Sequence, residues 1–235
     1  MEQNEIQSIV TIGISNPQGV GGVQADLSTL AAMGVHGAAV VTGIDLGDLR
    51  PALLDIPDIV GQLDAAAATN PAAVKIGAVG SEAIAKAVAE KVQSLGLPNV
   101  VVDPSIARTD DDAANEETVD YLKSALIPVA NVAVINIHES CLLTGLPIRN
   151  PMGMKAAAKL VNQMGAERVV VSGGQIDSDE CIDFMFDGEE YFDLPSERVE
   201  TNHKSGIGAI YSAAIASGFA YGRGVEEGVA IAKMY

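Results

Sequence analysis

Short β-branched runs recur along this chain at intervals that leave room for one amphipathic helix between each pair. Ile9–Ile12, Ala38–Val41, Val74–Ile76, Val100–Val102, Val132–Ile135 and Arg168–Val171 all read as strands. They are apolar without strict alternation, the pattern of strands buried on both faces. The windows between them carry helical periodicity. Ser81 is placed to cap a helix whose apolar face is Ile84, Val88, Val92 and Leu95, closed by Gly96 and Pro98. Thr118–Leu126 and Met152–Met164 read the same way. Strands alternating with helices mean βαβ units, so the expected fold is α/β: a three-layer αβα sandwich around a mostly parallel sheet. Residues 181–186 and 189–194 depart from the pattern, because Asp187-Gly188 between two strand-like runs signals a late antiparallel hairpin. No change in composition marks a boundary, so one domain over residues 1–235 is expected. The last residues, Lys233-Met234-Tyr235, fall inside a helical pattern without a cap, as if a terminal element were missing or removed.

Such a sheet places ligands at the carboxyl ends of its strands. The sequence that best fits a ligand site there is Ser205-Gly206-Ile207-Gly208-Ala209, which runs directly into the apolar stretch 210–216. Glycines at a helix start leave amide groups open to an anion at the positive end of the helix dipole. The alternative is a glycine-rich turn feeding a packed helix, since a short glycine motif alone is weakly diagnostic. No Walker A sequence is present, so the P-loop class is excluded. A net charge of −17 argues against nucleic acid and against an acidic membrane surface. Cys141 and Cys181 lack CxxC spacing, which speaks against a zinc site or a disulfide framework. With no signal-like start and no apolar run long enough to span a bilayer, the expected compartment is the cytoplasm.

Taken in order, several segments form a pattern. They are Ile12–Asp26 (I-G-I-S-N-P-Q-G-V-G-G-V-Q-A-D), Lys75-Ile76-Gly77, Val101–Pro104, Asn136–Glu139, Ser172-Gly173-Gly174 and Ser205–Ala209. Together they resemble the hydroxymethylpyrimidine and phosphomethylpyrimidine kinases of thiamine synthesis, members of the ribokinase-like superfamily. The resemblance implies ATP and magnesium as cofactors, a small pyrimidine alcohol or its monophosphate as substrate, and a homodimer. It implies an anion hole at Gly206 and Gly208, and substrate contacts from Asp26, Asn16, Gly47 and Ala78. It also implies a nucleotide and metal side built from Asn136, Glu139, Asp103, Ser172 and Gly174, with Glu139 organising the metal.

The departures from that family matter as much. Ala209 stands where pyrimidine kinases carry a cysteine and sugar kinases an aspartate base. Ser172 replaces a lysine near the nucleotide, Gly47 a glutamine that reads the pyrimidine edge, and Ala78 a methionine. Asn16 replaces an aspartate and Val20 a glycine, and the family's C-terminal tail is absent. Activity is therefore expected to be weak or altered. The alternatives are a homologue that binds its ligand without turning it over, or a kinase of another small alcohol such as a B6 vitamer.

Other residues have plainer readings beside the functional ones. Glu139 favours a helix start electrostatically whether or not it meets a metal. Asp103 ends a strand and either meets ligand or caps the next loop. Lys75 either pairs with a pocket carboxylate, touches substrate, or runs its stem out to the sheet edge. His203 and Lys204 are candidates to replace the base but read more simply as a solvated loop. Asp110-Asp111-Asp112 reads as surface, His36 as an ordinary surface or satisfied histidine, and Cys141 as buried filler.

Overall fold

The computed structural model describes residues 7–47, 50–106, 112–178, 180–202 and 205–235, with the backbone alone for 112–114. The strands are β1 (Ser8–Ser15), β2 (His36–Ile44), β3 (Ala52–Leu53), β4 (Ala73–Ile76), β5 (Val100–Val102), β6 (Val132–Asn136), β7 (Arg168–Ser172), β8 (Glu180–Phe186) and β9 (Tyr191–Glu197). They form one nine-stranded sheet in the order β3-β2-β1-β4-β5-β6-β7-β8-β9. Pairing is parallel from β2 through β7 and antiparallel for β3 on β2, β8 on β7, and β9 on β8.

The helices are α1 (Gly22–Ala32), α2 (Ile56–Ala67), α3 (Glu82–Ser94), α4 (Asp112–Tyr121), α5 (Ile137–Thr144), α6 (Pro151–Gln163), α7 (Ile207–Ala220) and α8 (Val225–Met234). Consecutive side chains in a strand point to opposite faces of the sheet. Val10, Ile12, Val74 and Ile76 accordingly pack with α2, α3 and α6 through Leu63, Val88 and Val161. Ile9, Val101, Val132 and Val170 face the other way, against Leu30 of α1, Ile215 of α7 and Val229 of α8. The result is the expected three-layer αβα sandwich.

Local signals account for most boundaries. The Ser81 hydroxyl accepts the Ile84 amide at 3.3 Å, and Ile84, Val88 and Val92 are buried; such a cap is worth about 1 kcal/mol. Two expected boundaries move. The helix anticipated over 118–126 ends at Tyr121 and continues as one wider π-type turn over Leu122–Leu126. In the hairpin, the Asp187 carboxylate accepts the amides of Glu189 (2.8 Å) and Glu190 (2.7 Å). Its own amide donates to the Glu190 carbonyl at 3.2 Å. That closes a four-residue turn and delays β9 to Tyr191, where two residues of turn were expected.

Candidate active site

The carboxyl ends of the parallel strands open on a cavity of about 410 Å³, a size suited to a small molecule. Its wall includes Asn16, Asp26, Gly47, Ala78 and Ala209. Five positions scattered from 16 to 209 in the sequence therefore meet at one place. Lys75 and Ser105 complete the wall toward the centre of the sheet.

Lys75, in the middle of β4, is 1 % exposed. It does not run out to the sheet edge. Its Nζ donates to Asp26 Oδ1 at 2.9 Å and Oδ2 at 3.0 Å, and lies 3.7 Å from Asp103 Oδ2. Thr11 donates its hydroxyl to the same Asp26 carboxylate. Burial alone would lower the Lys75 pKa, but the two facing carboxylates outweigh it and hold the ammonium above its ordinary range. Asp26 thus sits in α1 with its oxygens committed to Lys75 and Thr11, shaping the cavity through that pair.

Asp103 continues the chain of charge. It accepts the hydroxyl of Ser105 on Oδ1 (3.1 Å) and that of Ser212, one turn into α7, on Oδ2 (3.0 Å). Glu139 comes next. Burial, reinforced by the charge of Asp103, pushes its pKa up to about 8. Its Oε2 accepts the Asn136 amide at 2.9 Å, Oε1 accepts the Ile106 amide at 3.2 Å, and Asn136 Oδ1 accepts the Glu139 amide at 3.0 Å. This reciprocal cap starts α5 and fixes both side chains. Two buried carboxylates, one of them made costlier to ionise by the charge of the other, suit a hard divalent cation. Magnesium in particular takes one or two carboxylates and leaves its other positions to phosphate and water. No group of three His, Cys, Asp or Glu among the described residues converges into an all-protein metal cage.

At the start of α7, Gly206 has φ +79°, and a Cβ there would lie 1.7 Å from the Val20 carbonyl oxygen. Only glycine fits. The first intrahelical bond runs from the Ile210 amide to the Gly206 carbonyl at 3.0 Å. The amides of residues 207–209 precede it, with Ala209 at the cavity wall. A Cβ at Gly208 would meet Asp103 oxygens at 3.6 Å and 3.7 Å, so that glycine keeps the approach beside the carboxylate open.

The positions that the family resemblance assigns to the nucleotide group separately. Ser172 ends β7 directly opposite Asn136 of β6. Gly174 follows in a turn held by the Gly173 amide on Asp183 Oδ1 (2.8 Å) and by the His138 amide on Gln175 Oε1 (3.0 Å). None of these lines the cavity, and Asp103 is the link between the two groups. Sequence reasoning did not single out Thr11, Asp45, Ser105 or Ser212, whose hydroxyls and carboxylate carry no motif. Asp45 fixes Asn16 by accepting its Nδ2 at 2.9 Å. His203, Lys204, Asp110 and Asp111 lie outside the described residues. His36 opens β2 on the surface, and Cys141 is half-buried against the core.

The sequence profile of the phosphomethylpyrimidine kinase family matches residues 16–235. The chain belongs to that family. Within it, a hydroxymethylpyrimidine/phosphomethylpyrimidine kinase from Rhizobium meliloti (strain 1021) is 37 % identical over 233 residues, covering 96 % of this chain and 87 % of that protein. Among solved structures, an ADP complex of Bacillus subtilis pyridoxal kinase superposes with a TM-score of 0.92 at 29 % identity, covering 98 % of this chain and 90 % of the other. Staphylococcus aureus pyridoxal kinase in complex with AMP-PCP and pyridoxal gives 0.89 at 27 %, covering 98 % and 86 %. The fold is ribokinase-like, and this family includes the one anticipated from the ordered motifs.

Proposed function

We propose that this phosphomethylpyrimidine kinase family member is a cytoplasmic, single-domain enzyme that transfers the γ-phosphoryl group of ATP to the hydroxymethyl group of hydroxymethylpyrimidine and to its monophosphate, as a homodimer. The observation that carries the reading is the opening of α7 onto the cavity, with Ala209 in its wall. Amides at residues 207–209, with the helix dipole behind them, stabilise negative charge on the moving phosphoryl group. Asn16, Gly47 and Ala78 surround the ring, and the Asp26–Lys75 pair fixes the floor. Asn136, Ser172 and Gly174 face the nucleotide. Magnesium, when bound, neutralises charge on the nucleotide phosphates, and Asp103 and Glu139 are the residues that would hold it.

The weak point is Ala209, a methyl group at the position where relatives keep a cysteine. Phosphoryl transfer rests mostly on positioning and electrostatics, and loss of a positioned base costs about 10²–10⁴-fold. Slow turnover is the expectation. Ala209 also gives physical content to a second reading, a protein that retains the ligand cavity and has lost transfer.

The two separate by experiment. Hydroxymethylpyrimidine, pyridoxal and ATP are titrated calorimetrically, and ADP release is followed with each acceptor. Acceptor-dependent ADP release with hydroxymethylpyrimidine supports the kinase. Ligand binding with ADP at background supports the binding protein, and a preference for pyridoxal redirects the substrate. The double variant Ala209→Cys, Ser172→Lys is expected to raise turnover.

A further inference from the structure

With no proton-accepting side chain at Ala209, the acceptor hydroxyl needs another group to orient it. The geometry points to Ser105 as the residue that binds that hydroxyl, accepting its hydrogen bond and fixing the oxygen toward the start of α7. This rests on the kinase reading above and goes beyond it by assigning a role to a residue outside every recognised motif.

Ser105 is exposed on the cavity wall with Ala209. Among the described residues of that wall it is the only one with a hydroxyl side chain. Its proton is already directed, because Oγ donates to Asp103 Oδ1 at 3.1 Å. A serine hydroxyl that donates to a carboxylate keeps its lone pairs for one more donor. The other charged groups at the centre of the wall are less available. Lys75 and Asp26 are 1 % exposed and bound to each other. Asp103 itself is fixed by Ser212 from within α7, so the Ser105 hydroxyl is tied to the same helix whose amides face the cavity.

The backbone adds a second observation. Ser105 has φ +47°, whereas the other positive-φ residues that are not glycine, among the described residues, are Asn70 and Asn99. Asparagine tolerates that region, but serine does so at a cost. Glycine would remove the strain, and its absence here fits a requirement for the side chain.

The test uses the full-length protein with Ser105→Gly and Ser105→Ala. Glycine relaxes the backbone, so it keeps the question open to measurement if the alanine variant folds poorly. The probes are hydroxymethylpyrimidine and the analogue with methyl in place of hydroxymethyl, titrated calorimetrically without nucleotide. The wild type is expected to prefer the hydroxymethyl compound, and both variants to lose about three- to tenfold of that preference, the range of one hydrogen bond. Affinity for the methyl analogue is expected to stay unchanged, and ADP release to fall with the hydroxymethyl acceptor. An undiminished preference in Ser105→Gly overturns the assignment while leaving the kinase reading intact. A wild-type protein that binds neither compound overturns both.

Discussion

Lys75 shows how one residue holds two parts of the site together. Its ammonium lies between carboxylates contributed by α1 and by the end of β5. Removing it leaves two buried acids facing each other without a cation, a change that costs about 3–5 kcal/mol. Lys75→Met is therefore expected to lower the urea midpoint strongly, and Lys75→Met with Asp26→Leu to recover much of that loss, since an apolar pair can replace a buried ion pair. A loss below about 1 kcal/mol in the single variant would show that the ion pair is not what supports this floor. Glu139 gives a pH test at the same scale. Its pKa is about 8 in the folded chain and 4.5 without the fold. The native state thus binds the extra proton between those values, and the favourable term present below pH 4.5 is lost as pH rises through 8. In magnesium-free buffer, stability should fall across that window by up to about 1.4 kcal/mol per pH unit. Glu139→Gln should flatten the slope, and an unchanged slope would refute the assignment.

At the scale of elements, the start of α7 separates two glycines that look equivalent in sequence. Gly206→Ala drives a Cβ into the Val20 carbonyl at 1.7 Å from a left-handed backbone, so marked destabilisation is expected. Gly208→Ala meets nothing closer than the Asp103 oxygens at 3.6 Å. It should fold with near-normal stability yet weaken nucleotide binding, read by thermal denaturation and calorimetry together. Equal destabilisation by both would mean that the helix start is a packing feature alone. The parallel strands and most helices were legible because burial on two faces writes continuous apolar runs and a 3.6-residue period. The elements that escaped have local reasons. β3 is two residues long, and the β2 edge beyond it is completed by a side chain: Gln62 accepts the Val41 amide at 2.8 Å and donates to its carbonyl at 3.1 Å. A glutamine acting as a strand neighbour leaves no pattern to read. The extra turn residues of the hairpin depend on the Asp187 carboxylate holding two amides, which Asp-Gly spacing alone does not specify. At the site, glycines and capping residues announce themselves by type and order, whereas Ser212 meets Asp103 only through the tertiary fold, and Ser105 only through the left-handed backbone that turns its hydroxyl back onto Asp103 two residues earlier.

Charge belongs to the whole molecule. The chain carries a net −17, from 14 Lys and Arg against 31 Asp and Glu. That excess repels itself more strongly in the folded state, where the charges are closer together than in the expanded chain. Salt screens this repulsion, since the Debye length falls from roughly 30 Å at 0.01 M to roughly 8 Å at 0.15 M. Salt also weakens exposed attractive pairs such as Lys86–Glu82, at 2.6 Å and about half exposed. Those pairs are each worth about 0–1 kcal/mol and, among the described residues, are far fewer than the unbalanced carboxylates. The buried Lys75–Asp26 pair lies outside the reach of mobile ions, so it neither gains nor loses. The net expectation is a thermal midpoint that rises from 10 mM to about 0.2 M sodium chloride and then levels as the Debye length becomes shorter than the spacing of surface charges. Chloride is the appropriate salt, because sulfate would stabilise the fold by exclusion from the surface whatever its charge. A midpoint that falls over that range would mean that attractive surface pairs, and not the unbalanced acids, dominate the electrostatics of this fold.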